Sequence, residues 1–194
     1  LAIYASVAVT PGGCGLVKID KDSEVIWRYP ERVHHDFAVD DDGSIYTLVH
    51  RFRSTARRPV PGVEDFPRII LEEYLVELSS EGREVRRINL LDLLARSDYG
   101  AWLQMYDLRE SNPVRSGEPT DVLHANSVEI VGPAFARENR FAEPGQVFVS
   151  FRNFDMIALV DIEQREIVWA NRGFWSQQHD PDALESGDLL VFDN

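Results

Sequence analysis

Histidine, arginine and asparagine recur at the entrances of a repeated unit, and together those side chains could hold and move an anionic group. His34-His35-Asp36 leads into FAVDDDGSIYTLVH, Gln178-His179-Asp180 into PDALESGDLLVFDN, and His124-Ala125-Asn126 into SVEIV and later GQVFVSFR. A glycine follows His35 and His179 at the same distance (Gly43, Gly187), whereas the middle copy carries a long insertion before Gly145. If each unit is a hairpin turning at its glycine, the residue seven places after it lies across from the histidine: His50, Arg152 and Asn194. The spacing thus predicts a ring of His35, His124, Asn126, Arg152 and His179 around one cavity, with His50 as an extra candidate.

Imidazole can act as nucleophile, base or acid near neutral pH. Arginine presents a fixed planar fork of donors that suits a tetrahedral oxyanion, and Asn126 adds a neutral donor where charge develops. Gly-x-Ser-x-Gly, a Gly-rich phosphate loop and His-Glu-x-x-His are all missing from the sequence. Pro11-Gly12-Gly13-Cys14-Gly15 lacks the Lys-Ser/Thr ending of a phosphate loop and reads as a turn. Histidine and arginine around an oxyanion then point to group transfer through a histidine, with no cofactor. His34 is expected to be exposed. Asp36 and Asp180 could orient the adjoining loops or merely form turns. Asp40-Asp41-Asp42 reads as a solvated turn, with a weak calcium site as the lesser reading.

The elements that must position these residues are strand pairs. Besides the His-led units, a second unit recurs: LVKIDKDSEVIWRY (Leu16–Tyr29), YLVELSSEGREVRRI (Tyr74–Ile88) and IALVDIEQREIVWA (Ile157–Ala170). Each is an apolar run, a polar turn and a second run with β-branched residues, the pattern of a β-hairpin. In the third copy Ile157 and Leu159 share one face and Ala158, Val160 and Ile162 the other, as in a strand buried on both sides. Trp27 and Trp169 fall at matching places and are expected in the core. The two kinds of hairpin alternate, so two hairpins make a four-stranded antiparallel sheet, and successive sheets suggest the blades of an all-β propeller. A β-sandwich of short strands is the competing fold. About three blades are visible in residues 1–194, which read as part of a single propeller domain of a longer protein. Arg51–Arg68 reads as a long loop and Leu90–Tyr106 as one or two short helices. The 90–120 insertion reads as a lid.

Composition narrows the partners. With 44% hydrophobic residues among 194, the chain can bury a sizeable core, and no apolar run is long enough to span a membrane. A net charge of −13 argues against a nucleic-acid partner. The single Cys14 leaves no internal disulfide and no multi-cysteine zinc site. A homo-oligomer stays open.

The run from His124 to Asn194, with HANSVEIV, GQVFVSFRNFD, IVW, QHD and LLVFDN, resembles the bacterial arylsulfate sulfotransferases, and the upstream HHDF and DDDGSIYTL fit as well. The resemblance implies a six-bladed propeller, periplasmic or secreted. It would move a sulfuryl group from an aryl sulfate ester to a phenolic acceptor without a nucleotide sulfate donor. It implies that His179 becomes a transient sulfohistidine, and that His35, His124, Asn126 and Arg152 hold the sulfate oxygens and assist proton transfer. Two rival classes remain from the residues alone. One is a metal-dependent hydrolase or lyase, which Arg152 in the ring disfavours because a cation repels a metal. The other is a propeller serving only as an interaction scaffold.

Overall fold

The computed structural model describes residues 1–4, 13–62, 69–105 and 119–194. The alternating hairpins fold as antiparallel sheets. The first sheet holds β1 (Ala2–Tyr4), β2 (Gly15–Ile19) and β3 (Val25–Tyr29). The second is the meander β4 (Val33–Val39), β5 (Ile45–Ser54), β6 (Ile69–Leu78) and β7 (Glu84–Asn89), with the short β8 (Thr120–Asp121) lying parallel beside β6. The third is the meander β9 (Ala125–Ile130), β10 (Val147–Phe151), β11 (Met156–Asp161) and β12 (Glu166–Arg172). A pair, β13 (His179–Ala183) and β14 (Leu189–Phe192), follows. Each His-led hairpin of the two meanders is thus completed by the plain hairpin after it. The sheets curl together as a half-barrel.

The layers are held by apolar clusters between them. Leu16, Tyr29, Val33, Val49, Val76 and Leu78 fill the space between the first two sheets. Leu48, Leu75 and Ile88 from the far face of the second sheet meet Val147, Val149, Ala158 and Val160 of the third. Phe148, Ile157 and Leu159 pack on the opposite side of that third sheet with Phe135, and Ala183 and Leu189 of the last pair border them. The expected division of β11 into two buried faces is therefore observed. It follows from the two-residue side-chain period of a strand enclosed on both sides. Trp27 and Trp169 are half-buried at the borders of these clusters, Trp169 stacked on Phe141 at 4.8 Å and Trp27 donating its Nε1–H to the Ser80 carbonyl at 3.1 Å.

Leu90–Tyr106 begins with α1 (Leu90–Arg96) and α2 (Trp102–Met105), and the insertion before Gly145 holds α3 (Pro133–Glu138). Asn89 caps α1 by accepting from the Asp92 N–H at 2.7 Å, and Leu90, Leu91 and Leu94 go into the core. One expected loop is partly strand: β5 runs on to Ser54, because Arg53 lies buried at 3% exposure between Glu72 (3.0 Å) and Asp92 (2.7 Å). The lid expected over 90–120 has its 106–118 portion outside the described residues, as has part of the Pro11–Gly15 turn. Asp40–Gly43 is the solvated turn expected, with the Asp41 N–H bonded to the Asp40 carboxylate at 2.7 Å and the Ser44 N–H to that of Asp42 at 2.8 Å. No helix among the described residues is long and apolar enough to cross a membrane.

Candidate active site

The first strands of successive sheets lie side by side, β4 against β9 and β9 against β13. All three have irregular backbone where the sequence places histidine. β4 slips between His34 (opposite Leu48) and Phe37 (opposite Thr47), leaving His35 and Asp36 outside the ladder. β9 slips at Asn126, and β13 slips between His179 and Asp182. His35 (φ 57°), His124 (φ 52°), Gln177 (φ 54°) and Asp180 (φ 51°) adopt left-handed backbone, a region His, Asn and Asp enter more readily than most side chains. β9 pairs with β10 along one edge only, so its other donors need partners when buried. Side chains of neighbouring sheets supply them. The Val128 N–H bonds Asp36 at 3.0 Å, and the Ala125 N–H bonds both Glu73 oxygens at 2.9 and 3.1 Å. From β9, the Asn126 amide reaches the Gln178 carbonyl at 2.8 Å.

This stitching brings all five histidines of the chain into one run. Ring centroids are 5.0 Å apart for His50 and His34, 5.1 Å for His34 and His35, 5.1 Å for His35 and His124, and 6.5 Å for His124 and His179. The Nδ1 atoms of His34 and His35 share a proton across 2.8 Å. His124 has its Nδ1 2.6 Å from Oδ2 of Asp121, while Asp121 Oδ1 accepts the His124 N–H at 3.1 Å. That pairing fixes the ring and turns Nε2 outward. Nδ1 of His179 lies 3.1 Å from the Gln177 carbonyl and 3.0 Å from the Asn194 amide nitrogen. Arg152 donates through NH1 to Asn153 at 3.1 Å and through NH2 to Gln177 at 2.6 Å, both neutral acceptors. Neither Asp155 nor Glu143 pairs with it, and no ion pair to it forms among the described residues.

Burial and mutual repulsion lower four members of this run, His34, His35, His50 and His179. His34 is held well below the usual imidazole range by burial, then by His50, His35 and His124. His35 is pushed down to about 4 by burial of its ring, and by His124, although the residue keeps an exposed edge. His50 also falls to about 4, through burial and then Arg32. His179 is lowered by burial, with the Gln177 carbonyl acting in the opposite direction and His124 and Arg152 adding to the lowering. In contrast, Glu73 is raised well above a normal carboxyl, by burial and by Asp121. Asp36 is raised by burial, against the pull of its two backbone donors.

His35, His124 and His179 therefore meet, with Arg152 at the same rim: its N–H bonds the His124 carbonyl at 3.1 Å. Asn126 is buried and spends its amide on the segment carrying His179. Two expectations change. His34 is 3% exposed rather than open to solvent, because the bulge after it turns His35 outward in its place. The three histidines are also not equivalent. His34 and His179 each face the residue five places after their glycine (Leu48, Phe192), and His124 matches Gln177 instead. His50 faces Glu73 and bonds the Arg32 carbonyl, so it is not the partner of His35. Asn194 does meet His179. Asp121 and Glu73 escaped the reading of the sequence. The visible signal for Glu73 was a pair of acids in the middle of the apolar run IILEEYLVEL.

A model of the family described as arylsulfotransferase matches residues 3–194. The chain belongs to that family. Neither a curated protein nor a solved structure matches it. In this member of the family a cavity of about 580 Å³ lies between α1, β7 and β12. It holds no histidine, and its Arg87, Arg96 and Arg165 are accompanied by Asp92, Asp98 and Glu166, which marks it as a packing gap between sheets. A second space of about 550 Å³ opens beside His50, Arg32 and Phe52. No group of three or more His, Cys, Asp or Glu among the described residues is arranged to hold a metal ion.

Proposed function

We propose that this chain carries the site of a sulfotransferase that moves a sulfuryl group from an aryl sulfate ester to a phenolic acceptor through a sulfohistidine at His179. The observation that carries the reading is the meeting of His179, His124 and His35 at one rim with Arg152, which forms no ion pair among the described residues. His179 attacks through the Nε2 lone pair in the tautomer with its proton on Nδ1, directed at the Gln177 carbonyl, while the Asn194 amide donates to that same carbonyl rather than to Nδ1. Nε2 attacks sulfur, the sulfur–aryl oxygen bond breaks, and the aryl oxide takes a proton from a neighbouring imidazole. The acceptor phenol then returns a proton to that imidazole as its oxygen attacks sulfur and the nitrogen–sulfur bond breaks. Charge spread over the sulfuryl oxygens in both steps would be met by Arg152 and by an outward Nε2–H of His35.

The same reading takes the two meanders as blades of a propeller, with β4, β9 and β13 as innermost strands. Their side-by-side packing supports it. Export to the periplasm or outside belongs to the family resemblance. The test is to mix the protein with a chromogenic aryl sulfate and weigh the His179 peptide. Added sulfonate mass that disappears when a phenol is supplied is expected. Turnover of the donor with no labelled histidine refutes the covalent step.

A further inference from the structure

We infer that buried Glu73 and His34 form a proton relay that feeds His35 during transfer, so that the proton given to the leaving aryl oxide is drawn from Glu73. This inference rests on the sulfuryl-transfer reading above and names the source of its proton, which the rim residues alone do not supply.

The geometry is a line of groups running inward from the rim. His35 sits at the rim beside His124, and its Nδ1 is 2.8 Å from Nδ1 of His34. Only one of those two nitrogens can carry the proton in the neutral pair. His34 is 3% exposed, and its Nε2 is buried with no hydrogen-bond partner among the described residues, 3.9 Å from Oε1 of Glu73. An orphan nitrogen at such a depth is costly unless something can donate to it. Glu73, itself 4% exposed, is the group in reach, and burial favours its protonated form. One assignment gives every atom a partner once the Glu73 carboxyl turns to close the 3.9 Å gap to His34 Nε2. The acid proton of Glu73 points at His34 Nε2, the Nδ1–H of His34 donates to His35 Nδ1, and the Nε2–H of His35 faces the reacting group.

From that state the first half-reaction balances by three hops, the innermost made after the Glu73 carboxyl closes on His34. His35 gives its Nε2 proton to the aryl oxide as the sulfur–oxygen bond breaks. It takes the Nδ1 proton of His34, and His34 takes the proton of Glu73 on Nε2. Glu73 is left as a carboxylate, already cradled by the Ala125 N–H at 2.9 and 3.1 Å. When the acceptor phenol attacks, its proton runs back along the same line, and no net proton crosses. The other titratable groups that face this line are His50, cross-strand from Glu73 and 5.0 Å from His34, then His124, and Asp121. His50 is pushed low by burial and Arg32, and Asp121 is held against His124 Nδ1 rather than against His34, so neither replaces Glu73 in the line. Glu73 and His34 touch no substrate; they act through His35.

The test compares two donors in Glu73→Gln. Glutamine keeps an oxygen for the Ala125 N–H but has no proton to lend. Phenyl sulfate, whose leaving oxide needs protonation, is expected to lose about 100-fold in kcat/KM, the usual scale of a general acid. 4-Nitrophenyl sulfate, whose leaving group departs unaided, should change by less than about 3-fold. His34→Gln should show the same split. An equal loss with both donors, as from a merely structural defect, overturns the relay, and so does no loss with either. A second measurement needs no substrate: nitrogen NMR of the histidine rings of the intact protein at pH 7. His34 protonated on Nδ1 and His35 on Nε2 support the assignment, and any other pair of states overturns it. If the wild-type protein turns over neither donor, the sulfuryl-transfer reading fails, while the NMR result still decides the relay.

Discussion

Acid should loosen this fold through His50, and the size of the effect can be worked out. His50 is 2% exposed and its folded pKa lies at about 4, against an ordinary 6.5. The folded value is depressed, so the unfolded chain binds the extra proton. Stability is therefore whole above pH 6.5 and falls as the pH drops towards 4, after which it levels off. The complete displacement corresponds to about 3.4 kcal/mol at about 1.36 kcal/mol for each tenfold change. At pH 4.5 the unfolded imidazole is almost fully charged and the folded one only partly, so about 2.5 kcal/mol should be gone. Urea unfolding of the wild type and of His50→Gln at pH 7.5 and pH 4.5 isolates this contribution, because other groups that titrate in the window affect both proteins. The variant should lose about 2.5 kcal/mol less than the wild type on acidification. Equal losses would show that His50 titrates as an ordinary imidazole in the folded state, and the reasoning from burial and Arg32 would be wrong.

Three further outcomes follow from the contacts. Asp121→Asn should lower kcat about 100-fold at pH 7 with little change in KM, because the His124 ring loses the carboxylate that fixes its Nδ1 proton; steady-state kinetics check it. Arg152→Lys should keep the charge but lose the planar fork, raising the KM for aryl sulfate and lowering kcat about 10- to 100-fold, read from the same assay with varied donor. Asp36→Ala removes the acceptor of the Val128 N–H and should cost about 1–3 kcal/mol of unfolding free energy by urea titration, with Asp36→Asn recovering part of it.

The strands were legible because hydrophobic alternation is a property of sequence alone. Ile157 and Leu159 against Ala158 and Val160 announced a strand enclosed on both faces, and the fold puts each set in a separate cluster. The meeting of His35, His124 and His179 was legible for the same reason, since repeated units place like residues at like ends. Their phase was not. Counting back from a glycine assumes an unbroken ladder, and the slip between His34 and Phe37 leaves two residues unpaired, which buries His34 and exposes His35. Nothing in the residue types marks that slip. Arg51–Ser54 reads as loop by composition, yet stays strand because Arg53 finds Glu72 and Asp92 from distant parts of the chain. Glu73 was hidden for the same kind of reason: its partners, the Ala125 N–H and His34, are remote in sequence.

The left-handed backbone at His35 and His124 also bears on how these positions can drift over generations. A side chain there must tolerate a conformation that disfavours alanine and, more strongly, the β-branched residues. Alanine scanning would therefore charge both positions with a backbone penalty on top of any lost chemistry, and would overstate their part in the reaction. Asparagine and glycine are the fairer substitutes. In a lineage that abandoned the reaction, the same constraint would channel these two codons towards asparagine, aspartate or glycine, so a degenerate descendant should still carry the shape of the site after its chemistry has gone.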